Sequence, residues 1–385
     1  MNLNRRGLFK ASGAVLGAVA FSDLISSTAY AREVFVPSEK TPLLLNFNEN
    51  AIGMTPAAKE AVQKCLSSAF RYPDALRSSL TDALATKWSV TQDHVLIGNG
   101  SSEVIQGAVQ AIAQLASRSK KPVQLVVPDP TFNYAEIYAS AQGIPVVKVA
   151  LKAPGYGFDL QEMRQKVRDF PGVSIVYLCN PNNPTATITP AVLLEDWYKN
   201  SSKDTYFIVD EAYAEFVTDP AFKSAISMVK GGNKRIVVTR TFSKLYALAG
   251  LRVGYGLAHP DLASQINGFM AIDNTNAAGA AAALASLNDS VFVEKSLQST
   301  NLSRKIVTDA LTELGLRFLP SQANFIFHEI KGDHQTYKDR MAAAHVFVGR
   351  AFSPIENFNR LTLGTPDEMR AFVTVLKSFR QKGWI

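Results

Sequence analysis

From about residue 94 onward, short apolar runs alternate with stretches in which apolar residues recur every three or four positions. The runs lie at 94–98, 123–127, 146–149, 173–179, 206–209, 235–239 and 253–257. Segments between them, such as 103–116 and 190–199, are long enough to cross a sheet as helices. That alternation predicts an α/β layer on a mostly parallel sheet. After about Pro260 the rhythm changes to an alanine-rich stretch at 274–287, a helical pattern to Leu314, and strands near 324–327 and 360–363. A smaller α+β domain is expected there. Upstream, 32–70 holds Pro37, Pro42 and Pro56 with one helical pattern at 56–68, and reads as an arm that joins the small domain. The expected organisation is an arm at 32–70, a large domain at 71–265 and a small domain at 266–385.

Residues 1–31 stand apart from this pattern. Arg5-Arg6 and Lys10 precede a weakly apolar, Gly- and Ala-rich run at 11–21, and Ala29-Tyr30-Ala31 has the form of a cleavage site. The run is about half of the roughly 20 residues a membrane-spanning helix needs, so a permanent span is not expected. The paired arginines resemble a twin-arginine (Tat) signal, with Asn4 where Ser or Thr is commoner. A periplasmic or secreted protein, handled by the Tat translocase, is the expectation.

Composition narrows the chemistry. The 385 residues carry a formal charge of +7, with 47% hydrophobic and 19% charged residues, which excludes a disordered or collagen-like chain. Loss of 1–31 leaves +5, and no long basic tract is interleaved with aromatics, so no nucleic-acid partner is expected. Cys65 and Cys179 cannot build a disulfide framework, and five scattered histidines show no metal-ligand spacing.

Four motifs follow apolar runs. Gly98-Asn99-Gly100-Ser101-Ser102-Glu103 lies between a strand and a helix, where glycines permit a sharp turn and free amides cradle an anion. It is neither a P-loop nor a dinucleotide fingerprint, since no Gly-Lys-Ser/Thr follows and Glu103 takes the last glycine's place. Cys179-Asn180-Pro181-Asn182-Asn183-Pro184-Thr185 is forced into an extended, turn-rich path by its prolines. Asp210, with Tyr213 three residues on, ends an apolar strand, the usual ligand crevice of such sheets. Thr241-Phe242-Ser243-Lys244, followed by Arg252, offers an amine that can form a Schiff base, with hydroxyls and a guanidinium suited to a phosphate. Each motif alone also fits a tight loop, a helix cap or a surface lysine.

Their conjunction resembles the fold-type-I pyridoxal 5′-phosphate (PLP) enzymes, most closely class I/II aminotransferases of the histidinol-phosphate aminotransferase type. The likeness runs from Leu45-Asn46-Phe47-Asn48-Glu49-Asn50 through Arg71-Tyr72-Pro73-Asp74 to Arg360-Leu361-Thr362-Leu363-Gly364-Thr365. It implies that Lys244 carries PLP as a Schiff base and later moves the substrate's proton. Asp210 would pair with the ring nitrogen, Asn183 and Tyr213 with the ring oxygen, and Phe132 would stack on the ring. Ser101, Ser102, Thr241, Ser243 and Arg252 would hold the phosphate. Tyr72 would reach the neighbouring subunit's phosphate, which implies a homodimer, and Arg360 would grip the substrate's α-carboxylate.

Some positions depart from that pattern. Ala186 replaces a usual glycine, the arm lacks the tyrosine common near a substrate phosphate, and Gly349 displaces Arg350 from its expected place. These departures argue against a phosphorylated substrate, as does export, because histidine biosynthesis is cytoplasmic. The expected reaction moves an amino group between an amino acid and a 2-oxo acid. A PLP-dependent lyase or decarboxylase is the alternative on the same fold.

Overall fold

Among the described residues eleven strands form, most of them where apolar runs are bounded by turns: β1 (Leu43–Leu45), β2 (Val95–Gly98), β3 (Val123–Asp129), β4 (Val146–Ala150), β5 (Val173–Cys179), β6 (Thr205–Asp210), β7 (Ile236–Thr241), β8 (Gly254–Ala258), β9 (Phe325–Glu329), β10 (Val346–Val348) and β11 (Phe358–Thr362). The computed structural model describes residues 35–385, so the expected export signal at 1–31 lies outside the described residues. Seven strands form one sheet in the order β2-β8-β7-β6-β5-β3-β4. Pairing is parallel from β4 through β7, whereas β8 runs antiparallel to both β7 and β2.

The central strands are buried on both faces. Val176 and Leu178 of β5 join one apolar cluster, while Ile175, Tyr177 and Cys179 join the other. This explains why β5 reads as a continuous apolar run rather than an alternating one. Crossover helices cover the faces; Ser101–Arg118 buries Val104, Ile105, Ala108, Val109 and Ile112 against the sheet.

The reversal of β8 has a simple cause and a large effect. Only 242–253 separate it from β7, with one short 3-10 turn at Ala249–Leu251 and no crossover helix, so the chain can only double back. The start of β8 therefore lies on the edge where β2, β3, β5, β6 and β7 end. Register fixes this, with Gly98 and Thr241 both opposite Gly254, and Asp210 opposite both Cys179 and Thr239.

After residue 260 come the long helix Ser290–Glu313, the antiparallel pair β9 and β11, and the helix Pro366–Gln381, which starts with a reciprocal cap between Thr365 and Glu368. β1 pairs in parallel with β10, Leu43 opposite Val346. Both strands have three residues, too short for an alternation to be visible in the sequence. The alanine-rich helix Ala277–Leu287 packs on Pro56–Leu66 and Asp74–Trp88. Its small side chains permit that close approach. No helix among the described residues is long and apolar enough to cross a membrane, and none of their His, Cys, Asp and Glu clusters could hold a metal ion.

Candidate active site

At the end of β2 the chain turns at Gly100, which holds φ +76°, into the helix Ser101–Arg118. A Cβ on Gly100 would collide with Arg252 Nη2. The helix start has no side-chain cap, so the amides of its first turn are open to an anion. Arg252 completes the cup, donating through Nη2 to Asn99 O at 3.3 Å and Ser102 Oγ at 3.4 Å, and through Nη1 to Ala249 O at 3.0 Å. All three acceptors are neutral and leave the guanidinium charge uncancelled. Glu103 braces the rim by accepting from Asn99 N–H at 2.7 Å, Ala271 N–H at 3.0 Å and Asn274 Nδ2 at 2.9 Å. On the facing loop, Thr241 Oγ1 donates to Ser243 Oγ at 2.9 Å and accepts from Ser243 N–H at 3.1 Å.

Deeper in, Asp210 is buried at the end of β6. Burial raises its pKa, against the opposing pull of hydrogen bonds from Tyr177 and Ala212. Tyr213 Oη accepts from Asn48 Nδ2 at 3.1 Å, which leaves its own proton free to point into the cavity. Asn48 is fixed in turn by Thr362, through its N–H at 2.8 Å and its Oδ1 at 3.2 Å. Phe132 is half-buried against the cavity, its ring 4.3 Å from that of Tyr134, and its loop is tied to Asn182 by Thr131 Oγ1 at 2.7 Å.

Arg360 on β11 donates through Nη1 to Asn183 Oδ1 at 2.8 Å and through Nη2 to Asn46 O at 2.6 Å. Its Nε is buried without a partner, and burial lowers its pKa. A guanidinium held by two neutral oxygens, with a donor to spare, is prepared for a carboxylate. Lys244 Nζ donates to Phe47 O at 3.1 Å and lies 5.8 Å from the Tyr213 ring centre. Burial, with Arg360 nearby, lowers its pKa to about 8, although Glu49 and Asp210 pull the other way.

These side chains border one cavity of 540 Å³. Lys244, Ser101, Ser102, Phe132, Asn183, Asp210, Tyr213, Thr241, Ser243, Arg252 and Arg360 all face it. Tyr72 does not: it precedes the helix Asp74–Trp88 as a residue 77% exposed, outside the cavity of its own chain. Lys338 and Arg350 also border the cavity, the latter despite its displaced position. Gly349 packs so closely on the Arg360 carbonyl that a Cβ would collide with it, and Arg350 beside it is exposed at the cavity mouth, donating to Ala351 O at 3.0 Å. The sequence motifs do not point to a role for Asn48 or Tyr177; for the latter, a tyrosine in the middle of the buried strand VSIVYLC is a visible signal.

Comparison with known proteins identifies the family and the fold. The sequence pattern described as Aminotransferase class I and II matches residues 40–376. The histidinol-phosphate aminotransferase of Moorella thermoacetica is 33% identical over 340 residues, covering 88% of this chain and 85% of that one. A crystal structure from Erwinia carotovora atroseptica, provisionally named a histidinol-phosphate aminotransferase, superposes with a TM-score of 0.88 at 42% identity, over 91% of this chain and 99% of that one. The Sinorhizobium meliloti histidinol-phosphate aminotransferase, solved with pyridoxal-5′-phosphate, shares the fold with a TM-score of 0.78 at 23% identity, over 92% and 100% of the two chains. The chain is therefore a member of the class I and II aminotransferase family, a pyridoxal-phosphate-dependent transaminase.

Proposed function

We propose that this aminotransferase holds pyridoxal 5′-phosphate in the cavity and acts on amino acids that carry a second anionic group. The charge of the cavity wall supports this reading: among the described residues Lys244, Arg252, Lys338, Arg350 and Arg360 border it, against Asp210 as the single carboxylate. The uncapped helix start, Arg252 and the two hydroxyls fit a phosphate, while buried Asp210 fits a ring nitrogen that must stay protonated. When bound, pyridoxal phosphate supplies an aldehyde that captures amino groups and a cationic ring that accepts the electron pair left at the substrate's Cα.

The chain's own residues do the rest. Arg360 fixes the α-carboxylate through its planar fork, and Asn183, on Arg360 Nη1, ties that fork to the loop after β5. Lys244 Nζ, with a pKa of about 8, takes the Cα proton and returns one, because it is basic enough to accept and acidic enough to give back near neutrality. A phosphate and one carboxylate occupy Arg252 and Arg360. Lys338 and Arg350 are left over for a distal phosphate or carboxylate; because Arg350 borders the cavity, its displacement in the sequence no longer argues against a phosphorylated substrate.

Half-reactions monitored by cofactor absorbance test this. Aspartate, glutamate and O-phosphoserine are expected to exceed alanine and leucine in kcat/KM by about tenfold or more, the worth of one charge-assisted hydrogen bond. Lys338→Ala/Arg350→Ala raises KM for the acidic donors and leaves alanine unchanged. Equal or better turnover of neutral amino acids rejects the substrate class.

We further propose export through the Tat route and a homodimer. The paired arginines and the 29–31 cleavage site support the first. Exposed Tyr72 and Phe70 support the second, as do Leu66 and Ile272, which border one surface groove with Arg71. Protein recovered from the periplasmic or secreted fraction is expected to begin near Arg32 and to sediment as a dimer. A cytoplasmic chain with an intact N-terminus, or a monomer at micromolar concentration, would count against the respective proposal.

A further inference from the structure

Asp210 is held by two donors from different elements. Oδ1 accepts from Ala212 N–H at 3.1 Å, within its own loop, and Oδ2 accepts from Tyr177 O–H at 2.8 Å, from the neighbouring strand. Register explains the second contact. Tyr177 pairs with Ile208, and Asp210 is two residues further along on the same face of the sheet, at the diagonal position a long aromatic side chain can span. Around Tyr177 the strand is filled by Ile175, Val176, Leu178 and Cys179, all buried. A phenylalanine would fill the same volume without a hydroxyl to satisfy. The phenol is thus aimed at one atom.

We propose that Tyr177 is a positioning residue, whose O–H keeps the Asp210 carboxylate ionised and fixes its plane toward the cavity. With a donor on each oxygen the carboxylate cannot rotate, so it presents a fixed negative charge to the heterocycle nitrogen of a bound cofactor. The inference rests on the reading of this cavity as a pyridoxal-phosphate site. Burial alone drives Asp210 toward its neutral, protonated form, which could not pair with a protonated ring nitrogen, and the Tyr177 bond opposes this. Other titratable groups facing Asp210 are Cys179 on β5, Glu211 and Tyr213 beyond the end of β6, and Lys244 on the loop after β7. Cys179 and Tyr213 are held neutral by burial. Glu211 is engaged by Arg240.

The test measures pyridoxal-phosphate affinity of the apoprotein from pH 6 to pH 8 by equilibrium dialysis, alongside its thermal melting. Tyr177→Phe is expected to weaken binding about tenfold at pH 8 and further as pH falls, because Asp210 takes up a proton more readily without its donor. In an Asp210→Asn background the same change has no further effect on affinity. A Tyr177→Phe protein that binds as wild type at every pH, or loses as much affinity in the Asp210→Asn background, overturns the assignment, even if its melting temperature falls. Loss of measurable binding in wild type itself instead rejects the cofactor reading.

Discussion

Lys244→Ala is expected to lower transamination by at least about 10³-fold, within the range a positioned acid–base group contributes, while the protein still folds. The argument is local. Nζ is held at the end of β7 by Phe47 O at 3.1 Å, and burial with the Arg360 charge brings its pKa down to about 8. An alanine there leaves Arg252 and Asp210 in place but removes the buried amine that, on the proposed function, exchanges a proton with Cα. The sign of the pH dependence follows from the lowered pKa. The amine is mostly protonated below pH 8, so covalent capture of pyridoxal phosphate by the wild-type apoprotein accelerates as pH rises and levels off above about 8. Borohydride reduction followed by peptide mapping should fix the cofactor to Lys244 in wild type and to no residue in the variant. Turnover of the variant within tenfold of wild type would remove Lys244 from the mechanism.

The strand-end motifs were legible in the sequence because a parallel sheet buried on both faces writes its strands as mostly apolar runs, and the motif residues sit where those runs stop. The residues between the runs were harder to place. Nothing in 253–257 gives the direction of β8, although the missing crossover helix before it could have done so, and that reversal is what brings Arg252 to Ser102. Contacts set by register and by long-range packing were invisible for the same reason. Tyr177 meets Asp210 only once β5 and β6 are aligned, and Asn48 meets Tyr213 only once the arm is laid across β11. Arg350 illustrates the converse: spacing alone removed it from the site, whereas the folded chain brings it to the cavity border.

Arg240→Leu should destabilise the protein by about 3–5 kcal/mol, the usual effect of breaking a buried ion pair from one side. Arg240 precedes Thr241 on β7, and its guanidinium reaches the segment just after β6: Nε and Nη2 donate to Glu211 Oε2 at 3.0 and 2.6 Å, and Nη1 donates to Glu215 Oε1 at 2.9 Å. Glu211 follows Asp210, so the pair clamps the ends of β6 and β7 at the point where Asp210 and Lys244 must keep their separation. Burial opposes the charge on Arg240, and the two carboxylates outweigh it. Glu211 keeps Ser224 Oγ at 2.6 Å and Ala225 N–H at 2.7 Å, but these neutral donors cannot replace a cation around a side chain 1% exposed. The double variant Arg240→Leu/Glu211→Leu should therefore be more stable than Arg240→Leu alone, since it no longer buries an unpaired carboxylate. Urea denaturation at pH 7 distinguishes the cases. Equal midpoints for wild type and Arg240→Leu would mean that the two strand ends are held by backbone pairing alone.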